Sequence, residues 1–264
     1  GCLNKINTPE KNILTAEDPV EYELRGIGQM QVQPKIGLSF ASGLRSFLRQ
    51  DPDVIMVGEI RDHETAEIAI HASLTGHLVL STLHTNDAPS AVTRLVDMDV
   101  QAYQISSSVM GVLAQRLVRR LCEQCKTPYT PTDQDLLELD IDATTAQEKL
   151  AELKRVAATT VLGSGTSILP EPAAGESDEL TFYHPGGCDA CSNTGYRGRI
   201  GIFELMLIDE PVRREILNNS DAKTIQRVAQ QQGMRLLRED GARQVLAGVT
   251  SVEEVLAATQ AAEV

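Results

Sequence analysis

Two pairs of cysteines have the spacing of metal ligands. Cys122 and Cys125 form one C-x-x-C pair, and Cys188 and Cys191 form a second. Two such pairs supply the four sulfurs of a closed tetrahedral zinc site, which is most often structural. Two disulfides or four free thiols are the alternatives, but a metal is favoured over both in a reducing compartment. Cys2 stands apart and is expected to be an ordinary free thiol.

Acidic side chains follow two apolar runs that predict buried strands. Glu59 lies near the end of the run Val54 to Ile60, and Glu17 and Asp18 lie just past a strand predicted at Asn12 to Ala16. Ligands of open α/β sheets bind at the carboxyl ends of strands, where a carboxylate can hold the water shell of Mg²⁺ or polarise a water beside a nucleotide. The plainer alternatives are a strand followed by a charged loop and an Asp-Pro turn. Because neighbours on a strand diverge, Glu17 and Asp18 cannot both face one site.

Two histidines flank a third apolar run, Leu78 to Leu83. His77 precedes this run and His84 follows it, so an extended strand separates them by about 23 Å and they are not expected to share a metal. His84 is the better candidate for sensing a terminal phosphate; a purely structural histidine is the alternative. Arg45 and Arg49 lie four residues apart, which makes them either an exposed basic face or guanidinium groups that reach a neighbouring subunit's phosphates.

The elements that must position these residues alternate between apolar strands and amphipathic helices, which predicts βαβ units and a parallel sheet. Ser39 is the expected N-cap of the first helix, and Gly76 is expected to end the second. The predicted helices are Ser39 to Gln50, His63 to Leu74, Ala88 to Met98 and Ala102 to Leu121. A strand at Ile200 to Ile208 and four short helices from Pro211 to about Ala262 are predicted to follow.

The middle of the chain has a different character. From Thr130 to about Glu179, a polar helix-like stretch and the loop-like run GSGTSILPEPAAGESDE predict a mobile insert without a packed core. The sequence therefore predicts three segments. They are an α/β core at 1–121, a four-cysteine subdomain with its insert at 122–199, and a strand with a helical subdomain at 200–264.

Composition narrows the functional classes. A net charge of −13 disfavours nucleic acid and anionic lipid as partners. No apolar run approaches the roughly 18–20 residues that span a bilayer, and residues 1–10 lack the features of a signal peptide. The cysteine usage favours the cytoplasm. No G-x-x-x-x-G-K-[ST] motif occurs, so the chain by itself is expected to bind nucleotide poorly and to hydrolyse it negligibly.

Five segments together resemble the secretion ATPases of bacterial type II secretion systems. These are TAEDPVEY, GLRSFLRQDPDVIMVGEIRD, AEIAIHASLTGHLVLSTLHTNDA, GVLAQRLVRRLC and GCDACSNTGYRGRIGIFELM. They are similar also to the type IV pilus assembly ATPases, although the type II secretion ATPases are favoured. The resemblance covers nearly all of the chain. Its four-cysteine motif favours secretion and pilus-assembly motors over retraction motors, which lack it.

The resemblance implies a partial RecA-like fold from a hexamer that binds ATP and Mg²⁺ between subunits and carries structural Zn²⁺. It implies a location on the cytoplasmic face of the inner membrane, with inner-membrane components of the secretion platform as partners. It also implies that a phosphate-binding loop precedes Leu3, so the chain is expected to be a truncated piece. For the acidic residues, the resemblance implies that Glu17 and Asp18 form the Asp box, with Glu17 assisting the catalytic water, and that Glu59 is the Walker B glutamate. It implies that His77 and His84 form the His box and that Arg45 and Arg49 contact nucleotide or a neighbouring protomer. The implied zinc ligands are Cys122, Cys125, Cys188 and Cys191.

A non-enzymatic zinc adaptor that binds proteins or nucleic acid is the rival from another class. It explains the cysteines and the missing phosphate-binding loop. It leaves the segment Asp51 to Asp62 and both histidine positions unexplained, and the net charge disfavours nucleic acid. A G-x-x-x-x-G-K-[ST] motif encoded shortly before Gly1 would decide in favour of the motor.

Overall fold

A computed structural model describes residues 2–141, 144, 146–148, 151 and 180–260. The strands are β1 (Ile13–Glu17), β2 (Gly28–Gln31), β3 (Val54–Val57), β4 (Leu78–Ser81), β5 (Gly111–Leu121), β6 (Thr127–Tyr129), β7 (Phe182–His184) and β8 (Tyr196–Leu207). The helices are α1 (Cys2–Ile6), α2 (Phe40–Phe47), α3 (His63–Leu74), α4 (Ala88–Asp97), α5 (Ala102–Ser108), α6 (Asp133–Glu138), α7 (Glu210–Leu217), α8 (Ala222–Gln231), α9 (Leu237–Leu246) and α10 (Val252–Gln260).

The chain divides into two compact units. The first unit combines residues 1–112 with 207–229, and the second combines 113–206 with 230–264. The segments predicted from the sequence, 1–121, 122–199 and 200–264, divide the same chain differently and remain a prediction.

The first unit is built on a four-stranded parallel sheet in the order β2-β1-β3-β4. Apolar side chains of its two central strands form the core: Ile13, Val54, Ile55 and Val57 are at most 1% exposed. Burying each such side chain contributes about 1.5–3 kcal/mol. This hydrophobic sheet with helices packed against it confirms the predicted α/β fold class.

Polar caps set where the helices that follow the strands begin. The Ser39 hydroxyl accepts a hydrogen bond from the Ser42 backbone N–H at 3.2 Å and so starts α2. Asp62 caps α3 through the Thr65 N–H at 2.8 Å. These caps satisfy backbone donors that the first helical turn leaves unpaired. They confirm the predicted start of both helices, although α2 ends at Phe47, short of Gln50.

The second unit contains two separate strand pairs. β5 pairs with β8, and β6 pairs with β7 in antiparallel register, with Tyr129 opposite Phe182. Phe182 is fully buried in a cluster with residues of α6, α9 and α10. The other buried members of this cluster are Leu136, Leu139, Ile141, Ala146, Ala242, Val245, Leu246, Val252 and Val255. The four predicted C-terminal helices are confirmed as α7 to α10.

Two sequence predictions are wrong. The helix predicted at Ala102 to Leu121 ends at Ser108, and Gly111–Leu121 is a strand. Leu113 and Leu117 suggested a helical stripe by their spacing of four, but they are 55% and 51% exposed, while the alternate positions of β5 are more buried. The expected lack of a packed core from Thr130 onward is wrong for 130–141, whereas the run GSGTSILPEPAAGESDE lies outside the described residues.

Glu254 of α10 forms a shielded ion pair that should stabilise the second unit. Its carboxylate accepts hydrogen bonds from the Arg119 guanidinium at 2.5 Å and the Arg119 backbone N–H at 2.9 Å, and it is only 14% exposed. We expect Glu254→Gln to lower the free energy of unfolding by about 2 kcal/mol at neutral pH, measured by urea titration. Glu253→Gln is the control, because that side chain is 62% exposed.

The same pair predicts a pH dependence. The hydrogen bond from Arg119 lowers the pKa of Glu254 below its ordinary 4.5, against the opposing effect of burial. The folded state therefore favours the charged carboxylate. The ion pair contributes its full stabilisation at any pH above 4.5, and this stabilisation is lost as the pH falls through the lowered pKa of Glu254 in the folded state. The stability difference between the wild type and Glu254→Gln should shrink in acid. An undiminished difference in acid would contradict this assignment.

Candidate functional site

The carboxyl ends of β1, β3 and β4 meet at one edge of the parallel sheet. Backbone pairing continues past the strands: Gly58 N–H donates to the Ala16 carbonyl at 2.7 Å, and Ile60 N–H donates to the Thr82 carbonyl at 3.0 Å. A β-carbon on Gly58 would lie 3.2 Å from that same Ala16 oxygen, so the residue before Glu59 sits tightly against β1. This pairing places the residues after each strand along one edge.

Glu59 is a largely shielded carboxylate at this edge, and it was predicted from the sequence. Its Oε2 lies 2.9 Å from His84 Nε2 and 2.7 Å from Arg61 Nε, and the side chain is 12% exposed. Since a carboxylate only accepts, His84 Nε2 carries the proton in this contact. Among the described residues, no hydrogen-bond partner meets Glu59 Oε1. One oxygen is therefore fixed and the other is left for water or a cation.

The surroundings of Glu59 keep it charged. The hydrogen bond from His84 lowers its pKa below the ordinary 4.5, burial opposes this, and Arg61 lowers it further. The group is therefore a carboxylate at neutral pH. A charged oxygen at a strand end can orient water or hold the water shell of Mg²⁺.

Glu17, the last residue of β1, is held by two neutral donors. Its Oε1 accepts hydrogen bonds from Thr15 Oγ1 at 2.5 Å and Gln29 Nε2 at 2.9 Å. Gln29 also donates to the Tyr22 carbonyl at 3.0 Å and accepts from the Leu24 N–H at 2.7 Å, so it ties the loop after β1 to this carboxylate. The strand register sets Ala16 opposite Val57, which places Glu17 beside Gly58.

Asp18 and His77 lie apart from the Glu59 contacts. Asp18 is exposed and precedes Pro19 through a cis peptide bond. His77 lies before β4, and its Nδ1 is 2.9 Å from the Ala72 carbonyl and 3.1 Å from Thr75 Oγ1, which closes the turn after α3. His77 and His84 therefore sit at opposite ends of β4, as the sequence predicts, and a nucleotide role for His77 or Asp18 remains a prediction.

The two predicted arginines of α2 differ in their contacts. Arg45 pairs with Glu64 of α3 at 2.5 Å, with both side chains about half exposed. Arg49 lies near the Ser46 hydroxyl at 3.5 Å. Both guanidinium groups are on the surface of the first unit, so the proposed contact with a neighbouring protomer's nucleotide stays a prediction. Arg45 would have to exchange Glu64 for that phosphate.

The four predicted cysteines converge in the second unit. Their sulfurs all lie within 4.8 Å of one another, and three of the separations, Cys122 to Cys188, Cys125 to Cys191 and Cys188 to Cys191, are 3.8 Å. In a tetrahedron with metal–sulfur bonds of about 2.3 Å, sulfurs are about 3.8 Å apart. A disulfide needs about 2.05 Å. The arrangement fits one metal ion and excludes disulfides as placed.

Backbone donors favour thiolate at one corner of the cysteine cluster. Cys191 Sγ accepts hydrogen bonds from the N–H groups of Cys188 at 3.4 Å and Gly195 at 3.2 Å. Burial raises the pKa of Cys191, but these donors together with the thiols of Cys125 and Cys188 bring it down to about 6. Burial, together with the neighbouring sulfurs, raises the pKa of Cys125 to about 12. A cation would remove this imbalance, because metal ligation requires all four thiolates.

The sequence alone did not single out three partners of the carboxylates. Thr15 precedes Glu17 by two residues on β1, and residues two apart share a strand face, so this spacing was a usable signal. Arg61 follows Glu59 by two residues beyond the end of β3, where the strand rule does not apply. Gln29 comes from a neighbouring strand. Its contact depends on the β1–β2 register, which no local pattern in the sequence reveals.

Comparison with protein families shows which family this chain belongs to. A family model described as type II/IV secretion system protein matches residues 1–257. The chain belongs to this family. Among its relatives, type II secretion system protein E of Dickeya dadantii (strain 3937) is 48% identical over 260 residues, covering 98% of this chain and 45% of the relative. Type IV pilus assembly ATPase PilB of Thermus thermophilus is 46% identical over 259 residues, covering 98% of this chain and 26% of the relative.

Solved structures agree with this membership in the type II/IV secretion family. The pilus retraction motor PilT with bound ADP matches with a TM-score of 0.61 and 25% identity, over 97% of this chain and 55% of that one. The chain spans less than half the length of the Dickeya dadantii and Thermus thermophilus relatives. No helix among the described parts of the chain is both long and apolar enough to cross a bilayer.

Proposed function

We propose that this chain is part of a hexameric motor ATPase that couples ATP hydrolysis to pseudopilus assembly in type II protein secretion. The observation that carries the proposal is Glu59, a shielded carboxylate at the end of a buried parallel strand, held by His84 from the next strand. Both residues lie in segments that the family match covers. Relatives named type II secretion system protein E and type IV pilus assembly ATPase support the activity.

Within this proposal each residue of the sheet edge has its own role in ATP hydrolysis. Mg²⁺, when bound with ATP, neutralises phosphate charge, and Glu59 would hold its water shell or orient the attacking water. Glu17 would orient the same water from β1, with Asp18 beside it. His84 would sense the terminal phosphate, and His77 would be the second nucleotide-associated histidine of the His box. Arg45 and Arg49 would reach nucleotide bound at a neighbouring protomer.

The cysteine cluster is proposed to hold structural Zn²⁺ through Cys122, Cys125, Cys188 and Cys191. Four sulfurs at tetrahedral spacing leave no open coordination position, which is typical of a structural rather than a catalytic ion. We infer that the protein works on the cytoplasmic face of the inner membrane with components of the secretion platform. Without a phosphate-binding loop, these residues alone are proposed to be inactive.

Complementation tests this function. The intact protein is expressed in cells that lack their own type II secretion ATPase, and a secreted exoprotein is measured in the medium. We expect secretion to be restored. A parallel strain that lacks its type IV pilus assembly ATPase is scored for surface pili, because a relative 46% identical carries that name. Pili without secretion would favour the pilus motor. Rescue of neither, with no ATP hydrolysis by the purified intact protein, would favour a non-enzymatic zinc adaptor.

A further inference from the structure

One exposed face of α3 carries two histidines on either side of a glutamate. His63, Glu67 and His71 are spaced four residues apart and therefore lie on successive turns of the same helix face. His63 Nε2 is 3.9 Å from Glu67 Oε2, and His71 Nε2 is 4.0 Å from Glu67 Oε1. Each side chain is between half and three-fifths exposed. The two imidazoles thus lie near different oxygens of the Glu67 carboxylate.

The His63 ring is fixed by its other nitrogen. Its Nδ1 lies 2.7 Å from the carbonyl oxygen of Met98, just past the end of α4. A carbonyl can only accept a hydrogen bond, so Nδ1 must carry the proton. In the neutral ring, Nε2 then points a lone pair toward the Glu67 carboxylate. Two acceptors that face each other in this way cannot hydrogen-bond to each other directly, so a water molecule, a proton or a metal ion must lie between them.

We propose that His63 and Glu67 bind a divalent transition-metal ion through one imidazole nitrogen and one carboxylate oxygen. Tetrahedral ligands about 2.1 Å from zinc are about 3.4 Å apart, so the His63–Glu67 gap must close by about 0.5 Å. Exposed side chains on one helix can make this movement. Water completes the coordination shell. This site lies in the first unit and shares no residue with the cysteine cluster.

The chemistry of the ligands selects the kind of ion. Imidazole nitrogen suits Zn²⁺, Ni²⁺ and Cu²⁺, whereas Mg²⁺ and Ca²⁺ prefer oxygen ligands. A backbone carbonyl that holds the far nitrogen of a ligating histidine is the usual outer-shell partner of such sites. The Met98 carbonyl supplies that partner before any metal arrives. Binding would also connect α3 to the end of α4 through His63, so it should raise the thermal stability of the first unit.

A titration of the tag-free protein with Ni²⁺ tests the site. The cysteine cluster is first saturated with zinc, and Ni²⁺ binding is then followed by calorimetry and by the histidine ring NMR signals. We expect additional binding that His63→Gln and Glu67→Gln each weaken at least about tenfold. His184→Gln is the matched control. Its imidazole also lies 3.9 Å from a carboxylate, that of Glu253, but stacks on Tyr129 instead of donating to a carbonyl.

The outcomes separate a metal site from an ordinary ion pair. Loss of the additional binding in both α3 variants, with retention in His184→Gln and unchanged circular dichroism in all three, supports the proposal. Binding that survives His63→Gln and Glu67→Gln overturns it. So does a wild-type protein whose His63 ring signals do not change when Ni²⁺ is added.

Discussion

Glu59→Gln, introduced into the full-length ATPase proposed above, is expected to lower the rate constant of ATP hydrolysis by about 10²- to 10⁴-fold. Glutamine preserves the shape and can still accept the hydrogen bonds that His84 and Arg61 now give to Oε2. What disappears is the negative charge that would orient the attacking water or hold the shell of Mg²⁺. Nucleotide affinity should change little, since an interaction used mainly in the transition state affects the rate constant and not binding.

The control for this variant is Glu210→Gln. Glu210 belongs to the same compact unit, is 67% exposed, and pairs along its own helix with Arg214 at 3.4 Å. Hydrolysis by Glu210→Gln should equal that of the wild type in a steady-state phosphate-release assay. Wild-type turnover by Glu59→Gln would remove Glu59 from the catalytic machinery, whereas equal loss in both variants would point to a general effect of charge removal.

The pKa of Glu59 adds a condition on the pH profile of this activity. Because His84 lowers that pKa below 4.5, Glu59 stays ionised throughout the range in which the protein is expected to be folded and active. Any loss of wild-type activity between neutral and mildly acidic pH must therefore come from another group.

The parallel sheet was predictable because its signals are local and mutually consistent. The apolar run at 54–60 is too hydrophobic for a half-exposed strand, and Asp62 supplies an N-cap where the helix must start. Strand ends were less predictable: β3 stops at Val57, although single backbone hydrogen bonds from Gly58 and Ile60 continue the pairing to the neighbouring chain segments. The prediction that Glu59 and His84 share an edge needed only the rule for parallel strands, and the direct contact confirms that placement.

Gly111–Leu121 shows where local reasoning fails. Its leucines repeat every four residues and its arginines are good helix formers, so an isolated reading favours a helix. Tertiary pairing with β8 decides otherwise, because the strand can then place Ala114 and Val118 on a buried face. The partner strand lies some eighty residues further on in sequence, so no window around Gly111 contains the information. The same limit hid Gln29, whose contact with Glu17 depends on strand register.

Gly186→Ala is expected to empty the cysteine cluster of metal. A β-carbon at this position would lie 1.9 Å from the carbonyl oxygen of Cys125 and 2.9 Å from its carbonyl carbon. These are backbone atoms of a ligand residue, so the clash cannot be relieved by rotating a flexible side chain. The chain must separate the two cysteine-bearing turns, which breaks the 3.8 Å sulfur spacing between Cys125 and Cys191. We expect metal content well below one ion per chain by elemental analysis, and a loss of about 2–3 kcal/mol in unfolding free energy.

Gly187→Ala, one residue further on, provides the matched control. Its added β-carbon would meet the Asn193 carbonyl oxygen at 3.5 Å, which is an ordinary contact. This variant should keep one metal ion and a near-wild-type unfolding midpoint, and a chelator should lower that midpoint as it does for the wild type. The chelator should have little further effect on Gly186→Ala, because its site is already empty. If Gly186→Ala instead retained a full equivalent of metal, the close approach of its turn to Cys125 would not be what sets the ligand geometry.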